Sequence, residues 1–328
     1  AAQNAWIVPI VAFLYPLLLF SFALYGIKRF PNITKVLEGG KGWKIKTFAI
    51  VFIFFLAHVL IRDMNIISQF VNTTLLPLTP LYIIIFLITV VIVYMAWGGL
   101  EGLVRSNSYF FIIFIGIVIF TPLALAPSLE LENFEPVLGF IVIPSLLKSC
   151  YLLFSWAGES IALLIIVGMV APFEKVKAAT FWGVGLGLFL LAMLLFGEIG
   201  VLGSEILRYS TYPTYALVQQ IRLTEFLDRL DFFLVALYFP ITFVKMAFYL
   251  YGIHRCLFFL FGVSSKHLLI PLAFLMALLV NLLFDNKTTT LQFSVFSWAT
   301  LGILLELIIA VIFYLIVREG IKAKTESK

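Results

Sequence analysis

The residues of this sequence that are best able to do chemistry are polar and ionisable side chains inside long apolar runs. Glu159 lies halfway along one run, Lys245 lies near the middle of another, and Arg62 and Asn65 share one face of a third. Ionisable groups are costly at the centre of a bilayer, so those that occur there usually bind a ligand or an ion, or pair with one another. These four residues therefore predict a binding site.

Each of these residues also has a structural interpretation. Glu159 could cap a half-helix, because the N-terminal end of a helix dipole favours negative charge. Lys245 could form a buried ion pair with Glu159 or with Glu306, whose partner the sequence does not identify. Arg62 lies about 12 Å from the end of its run, so it could pair internally or extend towards the interface. Both interpretations stay open at this stage.

Other candidate ligand-binding residues follow from their spacing around Glu159 and Lys245. Tyr238 and Thr242 precede Lys245 by seven and three residues, which places all three on one helical face. The stretch before Glu159 consists of Ser155, Trp156, Ala157 and Gly158. Glycine weakens a helix and serine can satisfy backbone groups that a break exposes, so this stretch predicts an interrupted helix that offers backbone groups and an aromatic wall.

The composition places these residues in an integral membrane protein. The 328 residues are 63% hydrophobic and only 12% charged, and the mean hydropathy is +1.12. A soluble domain carries about 25% charged residues, so soluble enzymes, secreted disulfide-rich domains and disordered tails are excluded. We find no nucleophile–base pair, metal-ligand spacing or cofactor loop, and we expect no enzymatic activity, cofactor or nucleic-acid partner. Cys150 and Cys256 are expected to be free packing thiols.

Nine apolar runs come close to, or exceed, the length of about 20 residues that a membrane-spanning helix needs. The predicted spans are Trp6–Gly26, Thr47–Phe70, Leu81–Trp97, Tyr109–Ala126, Pro144–Val170, Thr180–Leu202, Asp231–Leu257, Leu268–Phe284 and Ser297–Val317. The chain is therefore expected to be an all-α, multi-pass membrane protein.

The distribution of positive charge predicts the orientation of these spans. If residue 1 lies outside, 15 of the 22 lysines and arginines fall at the inner face and only 4 in the outer connections. Positive residues favour the cytoplasmic side, so the C-terminus is predicted to be cytoplasmic. A chain that starts outside at Ala1 without a signal pattern leads us to expect one further span before it, and ten spans in all.

Span lengths repeat at an offset of five, which predicts two inverted halves. Spans one to four have 21, 24, 17 and 18 residues, and spans six to nine have 23, 27, 17 and 21. Because five is odd, the matched halves have opposite orientations, as in inverted-repeat transporters. The first helix of each half is usually broken near the midplane, and span five fits this role. We expect one transmembrane domain, 1–328, with a first repeat at 1–139 that lacks its first span, a second repeat at 140–317 and a cytoplasmic tail at 318–328.

Two expectations concern packing within span six. Gly183 and Gly187 have the spacing that allows close helix packing. Glu198 lies near the outer end of this span and is expected to extend to the interface.

Four stretches of the sequence resemble a known family. They are Asn72-Thr-Thr-Leu-Leu-Pro-Leu-Thr-Pro80, Trp156-Ala-Gly-Glu159, Tyr212-Pro-Thr-Tyr-Ala-Leu-Val-Gln-Gln-Ile221 and Phe226-Leu-Asp-Arg-Leu-Asp231. In this order they resemble the B subunits of nutrient-responsive spore germination receptors, which are relatives of the permeases of the amino acid–polyamine–organocation superfamily. The resemblance implies an inverted five-plus-five, LeuT-like fold from which the first helix is missing here.

The resemblance also implies a function and partners. A small nutrient, in particular an amino acid, would bind at Trp156–Glu159, and Lys245 would supply a fixed positive charge where related permeases hold a cation. Companion A and C subunits in the spore inner membrane would relay the signal, and membrane lipids would contact the chain. Two alternatives remain open: a proton-coupled amino acid transporter of the same fold, and a structural or ion- or water-conducting subunit.

Overall fold

The computed structural model describes residues 2–25, 27, 33–39, 42–137, 143–169, 173–221, 230–284, 290 and 292–326. The regular elements in these ranges are all helical, which confirms the predicted all-α class. The predicted boundary between two repeats, at residues 139 and 140, lies outside the described residues, as does part of the motif at 226–231.

Twelve α-helices follow one another in the described part of the chain. They are α1 (Val8–Ala12), α2 (Leu14–Ala23), α3 (Ile33–Glu38), α4 (Trp43–Phe70), α5 (Leu81–Trp97), α6 (Gly99–Ala124), α7 (Ile143–Gly158), α8 (Phe173–Tyr209), α9 (Pro213–Val218), α10 (Leu230–Phe261), α11 (Leu269–Leu283) and α12 (Trp298–Glu326). A 3₁₀-helix, Ala2–Ile7, precedes α1, and another, Glu159–Ile165, continues α7. π-helical turns lie at Val71–Leu75 and Phe293–Ser297.

Seven helical segments of the described chain are long and apolar enough to cross a membrane, so the protein is a multi-pass membrane protein. The predicted count of nine is not confirmed. The third predicted span is the helix Leu81–Trp97, which has only 17 residues. The fifth is divided between α7 and the 3₁₀-helices that follow it, so neither forms a long continuous helix.

Helix α4 forms the centre of the hydrophobic core. Its aromatic residues Phe48, Phe52 and Phe55 are fully buried, and the helix packs against α5, α10, α11 and α12. Helix α10 approaches α4 closely at Gly252, where an added Cβ would lie 2.6 Å from Leu56 Cδ1. The central position of α4 brings its polar residues into the interior of the protein.

Ion pairs tie helices together at the end of the molecule where α4 begins. Arg255 of α10 lies 2.8 Å from Glu38 of α3, and Lys44 of α4 pairs with Glu319 of α12. These pairs join elements that are far apart in sequence.

Two packing expectations for span six are wrong. An added Cβ at Gly183 or Gly187 would meet nothing within 4 Å, so these glycines do not mediate close helix packing. Glu198 does not extend to the interface: it is 3% exposed and accepts a hydrogen bond from the Thr214 hydroxyl at 2.6 Å. Its carboxylate instead holds α9 against α8.

Helices α7 and α12 pack closely at Gly302. An added Cβ there would lie 2.8 Å from Ser155 Cβ and 3.0 Å from Trp298 Cε2. Because Ser155 Cβ is fixed to the backbone of α7, the two helices must separate to accept a methyl group. This contact holds α12 against the end of α7.

We expect Gly302→Ala to destabilise the protein by about 1–3 kcal/mol, since overpacking a tight contact forces neighbours to shift. The measurement is the thermal unfolding midpoint of the purified protein in detergent. Gly183→Ala is the matched control, because its Cβ meets no neighbour, and it should cause no loss. Equal midpoints for the Gly302→Ala variant and the wild type would contradict the close contact.

Candidate functional site

The backbone changes its helix type at Gly158. The α-helix α7 ends there, and residues Glu159–Ile165 continue as a 3₁₀-helix. The sequence predicted a break at this position, and the structure shows it in a mild form, because Gly158 keeps right-handed dihedrals, with φ −69° and ψ −18°. Hydrogen bonds in a 3₁₀-helix have poorer geometry than those in an α-helix. The backbone hydrogen bonding of the segment after Gly158 is therefore weak.

Four ionised side chains from three elements meet beside this transition; we refer to Arg62, Asp63, Glu159 and Lys245 as the charge quartet. Arg62 Nη2 lies 2.9 Å from Asp63 Oδ1 and 2.5 Å from Glu159 Oε1. Lys245 Nζ lies 2.8 Å from Asp63 Oδ2 and 3.0 Å from Glu159 Oε2. Each cation therefore contacts both carboxylates, and the quartet joins α4, the 3₁₀-helix and α10.

The quartet is charge-balanced and mostly buried. The side chains of Arg62, Asp63 and Glu159 are 0%, 7% and 5% exposed. Removing charges from water is costly, and close opposite charges offset that cost only when their geometry is good. The Lys245 side chain differs, because it is 39% exposed. Lys245 is therefore the most accessible member of the quartet.

Aromatic rings surround the two cations. The Arg62 guanidinium carbon lies 4.0 Å from the centre of the Trp156 ring and 4.9 Å from that of Trp298. Lys245 Nζ lies 5.6 Å from the Tyr249 ring centre. The faces of aromatic rings attract cations, so these rings stabilise the buried Arg62 and the partly exposed Lys245.

The other predicted site residues make contacts outside the quartet. Asn65 donates a hydrogen bond to Thr290 Oγ1 at 2.6 Å, and Thr242, which is 8% exposed, donates to the Tyr238 carbonyl at 3.4 Å. Ser155 faces α12. The remaining two are Ala157, which is buried, and Tyr238, which is 46% exposed and lines a separate cavity. Ligand binding by these residues stays a prediction.

Glu306 of α12 lies directly against Gly158. A methyl group at Gly158 would overlap the Glu306 carboxylate. This carboxylate is fully buried and accepts a hydrogen bond from Tyr15 of α2 at 2.8 Å. Its Oε1 atom finds no hydrogen-bond partner in the described part of the chain. Glycine at the helix transition thus leaves the space into which this carboxylate extends.

Sequence reasoning missed three participants in this site. Asp63 was not among the predicted site residues, although its charge and depth mark it as a candidate by the rule that identified Glu159. Trp298 and Tyr15 carried no such signal, because aromatic residues are common throughout the spans. No group of three His, Cys, Asp or Glu residues in the described ranges could hold a metal ion.

A double-mutant cycle tests the charge balance of the quartet. Glu159→Gln leaves two cations facing one carboxylate, and we expect a loss of about 3–5 kcal/mol in unfolding free energy. Adding Lys245→Met restores neutrality, with Arg62 facing Asp63, and should recover a large part of this loss. Denaturant unfolding in detergent measures Glu159→Gln, Lys245→Met and the double variant. Strictly additive losses in the double variant would contradict the coupling.

A second cycle tests the contact between Gly158 and Glu306. Gly158→Ala should destabilise the wild type by about 1–3 kcal/mol, since the carboxylate must move and lose its bond to Tyr15. The same change should cost much less in a Glu306→Ala background, where the obstacle is gone. Thermal unfolding in detergent gives both values. An equal cost in the two backgrounds would show that the two residues do not touch.

Comparison with known proteins identifies the family of this chain. The profile of a spore permease family, described as "Spore germination protein", matches residues 1–290. The putative spore germination protein YfkT of Bacillus subtilis (strain 168) is 28% identical over 332 aligned residues, which cover 99% of this chain and 91% of the relative. Spore germination protein KB of the same organism is 26% identical over 263 residues, 77% of this chain and 69% of the relative. The chain belongs to the spore permease family of spore germination proteins.

Proposed function

We propose that this chain is the nutrient-sensing subunit of a spore germination receptor and that it binds a small ligand, most simply an amino acid, at the charge quartet. Membership of the spore permease family supports a role in germination. The observation that carries the proposal is the quartet itself, a balanced set of two cations and two carboxylates at a helix transition. An amino acid carries the same two kinds of charge.

The mechanism of sensing follows from exchange of ion-pair partners. The ligand carboxylate binds the accessible Lys245, and the ligand ammonium group binds the carboxylate that Lys245 releases. This exchange loosens the link between α10 and the 3₁₀-helix at Glu159. A ligand shifts a conformational equilibrium only by its different affinity for the two states, and here the difference arises because the ligand replaces contacts within the quartet.

We propose that the two states differ in the arrangement of two inverted repeats, residues 1–139 and 140–317, in a LeuT-like fold. Contacts between predicted equivalent spans support this arrangement. Helix α4 packs on α10, α5 packs on α11, and α2 packs on α8. The Phe86 and Phe274 rings, 6.0 Å apart, join α5 to α11. Equivalent helices near a pseudo-two-fold axis are expected to meet in this way.

The same proposal includes the surroundings of the protein. The chain would lie in the spore inner membrane with its C-terminal tail, 318–328, in the cytoplasm, as the excess of inner lysines and arginines supports. Companion A and C receptor subunits would relay the change of state. Similarity to spore germination protein KB supports a receptor context.

A proton-coupled amino acid transporter is the second candidate function. The observation that favours it is Glu306, a buried carboxylate beside the helix transition with one unpartnered oxygen in the described structure. Such a group could bind and release a proton as the neighbouring helices move. Uptake of radiolabelled amino acids into vesicles that carry only this chain distinguishes the candidates: accumulation along a proton gradient supports transport, and binding without accumulation supports sensing.

The sensing proposal predicts how Lys245 variants respond to nutrient. Lys245→Met removes the charged contact with the ligand carboxylate, so the nutrient concentration for half-maximal germination should rise about ten- to a hundredfold. Lys245→Arg keeps the charge and should shift it less. The measurement is a germination dose–response curve for spores that carry each variant, with receptor levels checked by immunoblot.

Lys148→Met is the matched control, because this exposed lysine of α7 lies outside the quartet, and it should leave the curve unchanged. Assembled Lys245→Met receptors with an unchanged curve would contradict the proposed site. Loss of receptor assembly in both Lys245 variants before any nutrient is added would assign the quartet to structure alone.

A further inference from the structure

A large cavity lies outside the charge quartet, towards the end of the molecule where α4 ends; we refer to it as the apolar cavity. Its volume is about 470 Å³, within the range of about 300–1,000 Å³ that is typical of small-molecule sites. Helices α4, α6, α8 and α10 form its walls, and the segment of residues 211–218, which includes α9, covers it. In the predicted orientation the cavity lies on the outer side of the membrane.

The chemistry of the lining is almost entirely apolar. Among its residues are Ile66, Ile67, Val118, Leu190, Leu191 and Leu194, and none of the lining residues carries a formal charge. Two of its threonine hydroxyls already donate hydrogen bonds within the protein: Thr121 donates to the Ile117 carbonyl, and Thr214 donates to the Glu198 carboxylate. A sugar bound here would lose the hydration of many hydroxyl groups without gaining hydrogen-bond partners from the lining.

Aromatic side chains form the outer part of the cavity. The Phe70 ring packs edge-on against Tyr212 and Tyr215, with centroids 4.8 and 5.6 Å apart. Tyr238 extends into the cavity from α10, with its ring 6.2 Å from that of Phe114. Burial raises the pKa of Tyr212 above its ordinary value, against the smaller opposite effect of a hydrogen bond with Thr73, so its phenol stays neutral. These rings suit an aliphatic or aromatic group.

The cavity and the quartet are neighbours but separate. Ile66, in the cavity wall, follows Asp63 by three residues, about 4.5 Å along the helix axis. Tyr238 precedes Lys245 by seven residues, about 10 Å along α10. A small molecule could therefore place an apolar group in the cavity while its polar end points towards the quartet.

We infer that the apolar cavity binds the side chain of a hydrophobic amino acid, branched aliphatic or aromatic, and so determines which nutrient the protein recognises. This inference rests on the proposed sensing function and adds the ligand class to it. The structure supports a preference for leucine or phenylalanine over alanine, whose methyl group would leave most of the cavity empty, and over glucose.

Gly187 offers a way to fill the cavity without disturbing the fold. It lines the cavity, and an added Cβ would meet nothing within 4 Å. Gly187→Phe should therefore place a ring in the space that the ligand side chain would occupy. Gly183→Phe is the matched control, one turn earlier on α8, because it is equally unobstructed and does not line the cavity.

The experiment measures equilibrium binding of radiolabelled L-leucine and L-phenylalanine to the full chain in lipid nanodiscs, with L-alanine and glucose as competitors. The wild type and Gly183→Phe should bind both labelled amino acids, and unlabelled L-alanine and glucose should compete poorly. Gly187→Phe should weaken binding about tenfold or more. Thermal unfolding of each variant verifies that the fold is intact.

Unchanged L-leucine and L-phenylalanine binding in Gly187→Phe would overturn the inference, as would a wild type that binds neither or binds L-alanine equally well. Germination assays separate this failure from failure of the sensing function. Gly187→Phe spores could keep the wild-type response to a nutrient while Lys245→Met spores lose sensitivity to it. In that case the proposed role of the apolar cavity is wrong, and the sensing function stands. If neither variant alters any nutrient response, the sensing function fails too.

Discussion

The balance of charge inside the apolar bundle is the constraint on which the rest of this structure depends. Two cations and two carboxylates can be buried together only if α4, the 3₁₀-helix after α7, and α10 meet at one depth and in one rotational setting. A slip of one residue in any of these elements would turn its charged side chain away from the others. The quartet therefore fixes the register of three helices that apolar packing alone would allow to slide.

The local weakness of the backbone at Gly158 gives this constraint a functional meaning. The transition from α-helix to 3₁₀-helix lies between the quartet on one side and the Glu306 carboxylate on the other. A change in either set of contacts acts directly on a segment with poor internal hydrogen bonds. Exchange of ion-pair partners at Lys245 would therefore change the contacts of this segment first. The apolar cavity next to the quartet has no charged lining residue, and it would select the ligand through apolar contacts.

The sequence identified three of the four quartet residues by depth and type, but it left open how they pair. Ionisable residues in apolar runs are conspicuous, so Arg62, Glu159 and Lys245 could be named in advance. Pairing depends on how helices rotate about their axes, and hydropathy does not encode this rotation. For that reason Lys245 was matched with either Glu159 or Glu306. The structure confirms the pair with Glu159, adds Asp63 as a second partner of Lys245, and shows Glu306 hydrogen-bonded to Tyr15 instead.

Predictions that relied on spacing alone were less successful. Gly183 and Gly187 have a close-packing spacing, but an added Cβ at either would meet nothing within 4 Å, and Gly187 lines the apolar cavity. Glu198 was placed at the interface by its position in the run, yet α9 folds back and supplies a hydroxyl partner. The apolar cavity had no sequence signal, since its lining comes from five elements that meet only in the folded chain.

The central claim is most directly tested by cryo-electron microscopy of the protein in lipid nanodiscs, at a resolution that shows side chains. The account predicts that α7 ends at Gly158 and that Lys245 Nζ lies within 4 Å of both Asp63 and Glu159. An α-helix that continues unbroken beyond Gly158, with Lys245 far from both carboxylates, would contradict it.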